Sequence, residues 1–232
     1  MVLVCHEHKF IYLKTTKTAG TSTEIALQPL CEEPGLPRLE NGQIRVSKYG
    51  IVGARGKTAS LVRPKWQFWR KYAWRNHMPA KQVRANLGAK TFDSYTKIAN
   101  VRNPFDRAVS DYHFRKHQQG LPSEDPQTEI AQFKEFIRSK AWGNNWEIVS
   151  INNKLIVDKF VRKENLQSDL KEIYRSFGLP EDSFELPHEK SMAERRKGIP
   201  VPDYFDADTI DIVRRRMTWV FEAGNYPEDP QN

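Results

Sequence analysis

Residues 10–27, FIYLKTTKTAGTSTEIAL, join a β-prone apolar run, a turn of small residues and the start of a helix in immediate succession. Phe10, Ile11, Tyr12 and Leu13 predict a short buried strand, and Ile25, Ala26 and Leu27 begin an apolar helical face. Between them lie Lys17, Thr18, Ala19, Gly20, Thr21 and Ser22. A strand that turns through small residues into a helix aims free backbone N–H groups and the positive end of the helix dipole at one spot, so this turn suits an anion. Lys17 adds a mobile positive charge, Gly20 permits close backbone approach, and Thr18, Thr21 and Ser22 offer hydroxyl donors. The nucleoside triphosphate loop G-x-x-x-x-G-K-[ST] is absent, because here the lysine precedes the glycine.

A second anion element follows at residues 95–112. Ile98 to Val101 suit a buried strand end, Pro104 suits the first turn of a helix, and Phe105, Ala108, Val109 and Tyr112 make that helix's apolar face. Arg102 therefore stands at a strand's carboxyl end, where open parallel sheets bind ligands. Ser110 sits two turns into the helix and can converge with the Arg102 guanidinium on one phosphate. Earlier, His77 precedes residues 78–88, which read as a helix with Pro79 near its start and Gly88 at its end. A helix N-terminus disfavours an imidazolium, so a neutral His77 can accept a proton.

The length, 232 residues, fits one α/β domain over residues 1–232 and is short for two. With 37 Lys and Arg against 29 Asp and Glu, the net charge of +8 favours polyanions and nucleotide-like ligands without choosing among them. Cys5 and Cys31 make no disulfide framework, and no apolar run reaches transmembrane length or forms a signal-peptide core. A soluble chain without a membrane anchor, in the reducing cytoplasm, is expected. The Cys5-His6-Glu7-His8 cluster lacks partners from a second segment, so no metal site is predicted there.

Residues 29–74 and 117–153 are expected to hold loops or insertions that shape an acceptor site, the first being rich in Gly and Pro. Within residues 65–75 aromatic and basic side chains interleave. Two readings stay open: a surface that stacks on bases or sugars, or a helix burying Trp66, Trp69 and Ala73, which the helical spacing fits. Ile130, Phe133 and Ile137 mark a helix, and residues 155–161 read as a strand. Asn165 is expected to cap a helix with Leu166, Leu170, Ile173 and Phe177 on its inner face and Gly178 at its end. A last helix over about 208–222 carries Ile210, Val213, Met217 and Val220 on one stripe.

Lys-Thr-Ala-Gly-Thr-Ser after an N-terminal strand resembles the 5′-phosphosulfate loop of sulfotransferases that use 3′-phosphoadenosine 5′-phosphosulfate (PAPS), in particular their carbohydrate-type branch. Where that family often has Pro, this chain has Thr16. Arg-x-Pro-x-x-Arg-x-x-Ser, from Arg102 to Ser110, is similar to the family's 3′-phosphate element, and His77-x-Pro-Ala resembles the position of its base histidine. The basic loop at residues 186–198 stands where the family closes over the nucleotide, with Lys190 and Ser191 matching and Glu189 departing from the usual Asn. The resemblance implies a three-layer P-loop-like α/β fold with a central, mainly parallel sheet flanked by helices. It implies sulfuryl transfer from PAPS, leaving adenosine 3′,5′-bisphosphate, to a hydroxyl or amine acceptor, a carbohydrate or small metabolite, with no metal. Lys17 and His77 would be catalytic; Lys17, Thr18, Ala19, Gly20, Thr21, Ser22, Arg102, Ser110, Ser191 and Arg195 would hold the nucleotide. Two rivals are a kinase with an atypical phosphate loop, which needs a Mg²⁺-binding acid that the sequence does not display, and a non-enzymatic nucleic-acid binder using residues 65–75.

Overall fold

The computed structural model describes residues 1–37, 39, 43–55, 72–139, 141–186 and 198–231, and the chain divides into two compact units. Unit 1 comprises Met1–Asn100 and Asn145–Pro187. Its first strands, β1 (Leu3–Cys5) and β2 (Phe10–Leu13), are almost wholly apolar and buried on both faces. They pair antiparallel with Cys5 opposite Phe10. The chain then passes through α1 (Gly20–Leu27) to β3 (Arg45–Val46) and β4 (Gly50–Val52), and on through α2 (Ala80–Leu87) and α3 (Ala89–Ser94) to β5 (Thr96–Val101).

β5 runs parallel to β2, with Tyr12 opposite Ile98, as a strand returning through a long crossover must. That pair carries the parallel pairing expected of the sheet, while β4 joins β1 and β3 joins β4 antiparallel. After the other unit, α6 (Trp146–Val149), β6 (Ser150–Ile151), β7 (Lys154–Leu155), β8 (Lys159–Arg162) and α7 (Leu166–Ser176) complete unit 1. The result is a mixed α/β fold whose six-stranded sheet, in the order β3-β4-β1-β2-β5-β8, is flanked by helices. Leu3, Phe10, Tyr12, Leu27, Ile98, Leu170, Ile173 and Tyr174 share one apolar cluster. Within it, the Tyr174 hydroxyl donates to the carbonyl of Ala26 at 2.6 Å and ties α7 to α1.

Unit 2, Val101–Asn144 and His188–Asn232, is built on helices α4 (Pro104–Gln118), α5 (Pro126–Arg138) and α8 (Ala207–Gly224). Asn103, Asp125 and Asp206 cap them, each accepting backbone N–H bonds of the first turn. Phe105, Phe133, Phe205 and Phe221 form its aromatic core, with Phe133 and Phe205 centroids 4.9 Å apart. Arg107 is buried there, its Nη2 donating to the Gly143 carbonyl at 2.7 Å; burial pushes its pKa down to about 10, so it stays cationic at neutral pH.

Several local expectations are revised. The Gly/Pro-rich stretch after residue 29, read as loop, supplies β3 and β4 to the sheet edge. The strand expected over 155–161 is two short ones in different sheets: β7 folds back on β6 through a tight turn at Asn152 (φ 51°) and Asn153 (φ 58°), and β8 joins the six-stranded sheet. Asn165 occupies the N-cap position of α7 but makes no capping bond. Of the interleaved residues 65–75, only 72–75 are described, and they are not helical.

Gly50 illustrates how tightly the edge is built. A Cβ there would lie 2.0 Å from the Val4 carbonyl oxygen and 2.9 Å from that of Cys31, both backbone atoms with no freedom to retreat. Gly50→Ala is therefore expected to destabilise the protein by about 3 kcal/mol. Urea denaturation checks this, and a loss under 1 kcal/mol would show that β4 shifts freely.

Candidate active site

The turn after β2 departs from ordinary backbone at two non-glycine residues. Lys17 (φ 62°) and Ala19 (φ 59°) adopt left-handed conformations while Thr18 between them does not. Alternation of this kind gathers successive N–H groups into an anion-binding concavity. α1 begins at once, with Ala19 as its N-cap, no side-chain cap and no acidic residue in its first turn. Ala19 has no side-chain oxygen to offer; its carbonyl accepts from Ser22 and Thr23, and the Gly20 and Thr21 N–H groups are left for another acceptor.

The loop rests on a buried polar network. The Tyr12 hydroxyl donates to Asn100 Oδ1 at 2.5 Å, Asn100 Nδ2 donates to Thr23 Oγ1 at 2.8 Å, and Thr15 Oγ1 donates to the Asn100 carbonyl at 2.7 Å. Thr15 spends its only proton there, so in the 2.7 Å contact between the Thr15 and Thr18 hydroxyls Thr18 must be the donor. The Thr18 side chain, expected to donate to the anion, is turned inward and buried; its backbone N–H is what it can offer. Thr21 is exposed and accepts from Lys14 Nζ at 3.2 Å, which keeps its own proton available. Ser22 is buried, and its N–H bonds the Ala19 carbonyl.

Gly20 also serves differently from the expectation. A Cβ would meet Lys14 Cγ at 2.9 Å and the Tyr12 hydroxyl at 3.0 Å, so the missing side chain makes room for the interior. Lys14 is the link that sequence reading overlooked. Its ammonium donates to the fully buried Glu24 carboxylate at 2.5 Å, and Arg55 Nε lies 3.6 Å from the same carboxylate.

The Lys14 carbonyl accepts from Nδ1 of His77 at 3.0 Å. A carbonyl can only accept, so Nδ1 carries the proton and Nε2 presents a lone pair. Burial pushes the His77 pKa down to about 4, the Lys14 carbonyl opposes that, and the Lys14 charge adds to it. The neutral imidazole was expected from a helix N-terminus; the cause is burial, and α2 starts only at Ala80 with Pro79 as its N-cap. The His77 backbone is itself left-handed, at φ 50°.

In unit 2, Arg102 follows β5 and is 8 % exposed, and its Nε donates to Asp106 Oδ2 at 2.5 Å. Ser110 is 3 % exposed on α4. Ser191 and Arg195 lie outside the described residues. Among the described residues no group of three metal-ligating side chains occurs, and no helix is long and apolar enough to cross a membrane.

Comparison with known proteins adds a family. The model of a family described as "Sulfotransferase family" matches residues 1–200. An uncharacterized protein of Archaeoglobus fulgidus is 31% identical over 115 residues, which span 45% of this chain and 86% of that protein. No solved structure matches the chain.

The environment of His77 fixes a pH dependence. Its folded pKa of about 4 lies below the ordinary 6.5, so the unfolded chain binds the proton more readily, and stability falls as pH drops from about 6.5 towards 4. NMR titration of the His77 ring should give a midpoint near pH 4 and the Nδ1–H tautomer above it; a midpoint near 6.5 would mean the ring is solvated. Tyr12→Phe, which strands Asn100 Oδ1 in the interior, should cost about 1–3 kcal/mol in urea denaturation.

Proposed function

We propose, from the premise that this chain belongs to the sulfotransferase family, that it moves a sulfuryl group from PAPS to a hydroxyl of a carbohydrate or small metabolite. One observation carries the reading: the neutral His77 imidazole and the uncapped, amide-rich turn after β2 are held by one residue, Lys14. A proton acceptor and an anion cradle fixed on the same short segment are what in-line transfer from an anionic donor requires.

The residues present fit the donor. The left-handed pair at Lys17 and Ala19 and the open N-terminus of α1 suit its 5′-phosphate. Arg102 and Ser110 supply a guanidinium and a hydroxyl suited to its 3′-phosphate, with Ser191 and Arg195 as further nucleotide-binding residues. When bound, the donor brings the sulfuryl group and departs as adenosine 3′,5′-bisphosphate. His77 Nε2 takes the acceptor's hydroxyl proton, which keeps the attacking oxygen from building positive charge. Lys17 and the loop amides neutralise the charge that grows on the departing phosphate. No metal is assigned, because these groups already supply the positive charge. The Asp106 contact with Nε orients the Arg102 guanidinium.

Lys17→Ala and His77→Ala should each slow turnover by about a hundredfold or more. His77→Ala should still bind adenosine 3′,5′-bisphosphate in calorimetry, because it loses the base and leaves the anion cradle intact. The wild-type protein should bind that nucleotide more tightly than ATP or a single-stranded oligonucleotide. Preference for ATP with Mg²⁺ would replace this reading with a kinase, and strongly salt-dependent oligonucleotide binding would replace it with a nucleic-acid binder.

A further inference from the structure

A side chain far along the sequence holds the backbone immediately before Lys17. The Thr16 N–H donates to Asn145 Oδ1 at 3.1 Å, the Thr16 hydroxyl donates to the same oxygen at 2.7 Å, and Asn145 Nδ2 donates to the Thr16 carbonyl at 3.3 Å. Both polar atoms of one amide are thus spent on one residue, which is read through its N–H, its carbonyl and its side chain. Asn145 belongs to unit 1, as does the turn. It stands at φ 63° and ψ 5°, a left-handed conformation that Asn tolerates better than most residues, just ahead of α6.

We propose that Asn145 is a positioning residue for the anion turn, clamping Thr16 so that Lys17 stays in the left-handed conformation that gathers the loop amides. The inference rests on the reading of this turn as the donor-phosphate site. A non-glycine residue held left-handed is strained and persists only where its surroundings over-determine it. Lys17 meets that condition from three sides. Asn145 fixes the residue before it, the Thr15–Thr18 hydroxyl contact spans it, and α1 begins two residues beyond Thr18.

The same segment reaches the base. α6 follows Asn145 directly and packs, through an element whose Ile148 and Val149 are buried, against α2, the helix that His77 leads into. The His77 ring is anchored to the Lys14 carbonyl, two residues before Thr16. Residues 145–149 therefore tie the proton acceptor's helix to the loop that carries Lys17, and a shift at residue 145 is transmitted to both.

Asn145→Gly tests this, because glycine accepts the left-handed backbone without strain and removes only the side chain. Hydrogen–deuterium exchange on the ligand-free protein should show the Thr16 amide exchanging at least about tenfold faster in the variant, while the strands β1, β2 and β5 are unchanged. Calorimetry with adenosine 3′,5′-bisphosphate should show about tenfold weaker binding, and steady-state kinetics a raised KM for PAPS with the acceptor KM unaltered. Thr16→Val, which removes one of the three bonds from the opposite side, should give a smaller change in the same direction. Unchanged exchange at Thr16, or unchanged nucleotide affinity in a variant whose Thr16 amide has been released, overturns the proposal. If the wild-type protein binds no bisphosphate, the donor reading fails on its own, and the exchange measurement still decides whether the clamp holds the turn.

Discussion

The ion pair between Lys14 and Glu24 sets the terms for everything around it. A carboxylate as fully buried as Glu24 cannot remain charged without partners; the Met1 ammonium contacts one of its oxygens, and Lys14, at 2.5 Å and almost as deeply placed, contacts the other. Glu24 projects from α1 and Lys14 follows β2, so their attraction fixes the helix against the end of the strand. Two consequences follow from that placement. The Lys14 stem lies across Gly20 and leaves no room for a Cβ there, and the Lys14 carbonyl is left facing the His77 ring. Lys14 thereby packs its side chain against the first residue of a helix and, through its backbone carbonyl, fixes which nitrogen of an imidazole carries its proton. Removing the Glu24 carboxylate would leave the Lys14 ammonium without its buried counter-charge, whereas loss of Lys14 would leave Glu24 to the Met1 ammonium and to Arg55 Nε at 3.6 Å.

The parts of this architecture that the sequence made legible are those with local signatures. The apolar run 10–13 falls where the pattern places it, and a helix follows the small-residue turn, although it starts at Gly20, inside the stretch read as turn. Pro104 occupies the first turn of α4, Gly88 follows α2, and α8 buries Val213, Met217 and Val220 of its expected stripe, with Ile210 only half-buried. All of these follow from hydrophobic period or from a residue with a restricted backbone. The hairpin of β6 and β7 was missed because two consecutive asparagines were read as polar loop, although both tolerate the positive φ of a tight turn. β3 and β4 were missed because strands of two and three residues are too short for alternation to show.

Side-chain roles were less legible than elements. Thr18 looks like a donor in any list of hydroxyls near a phosphate loop, and only the chain of contacts through Thr15 to Asn100 reveals that its proton is already committed. Lys14, beside the more conspicuous Lys17, has nothing in the sequence to mark it as buried. Asn145 meets Thr16 across 129 positions, a separation over which neither period nor propensity carries information. Histidine 77 was found through its neighbours, yet the reason it is neutral was assigned to a helix end when burial is responsible.

These corrections bear on the proposal that the turn holds the donor's phosphate. With Thr18 facing inward and Gly20 filled from behind by Lys14 and Tyr12, the turn meets an anion chiefly through backbone amides and the exposed Thr21 hydroxyl. Backbone amides cannot be re-aimed by a rotamer change; their direction is set by φ and ψ alone, so precision here depends on whatever restrains the backbone. That accounts for the density of buried polar contacts beneath so short a loop, where Tyr12, Asn100, Thr15 and Asn145 all bond to it or to one another. Such a network is worth its burial only when every member is satisfied. On the proposed reading the chemistry would be carried by few side chains, and most of the residues beneath the turn act by holding main chain in conformations it would not otherwise keep.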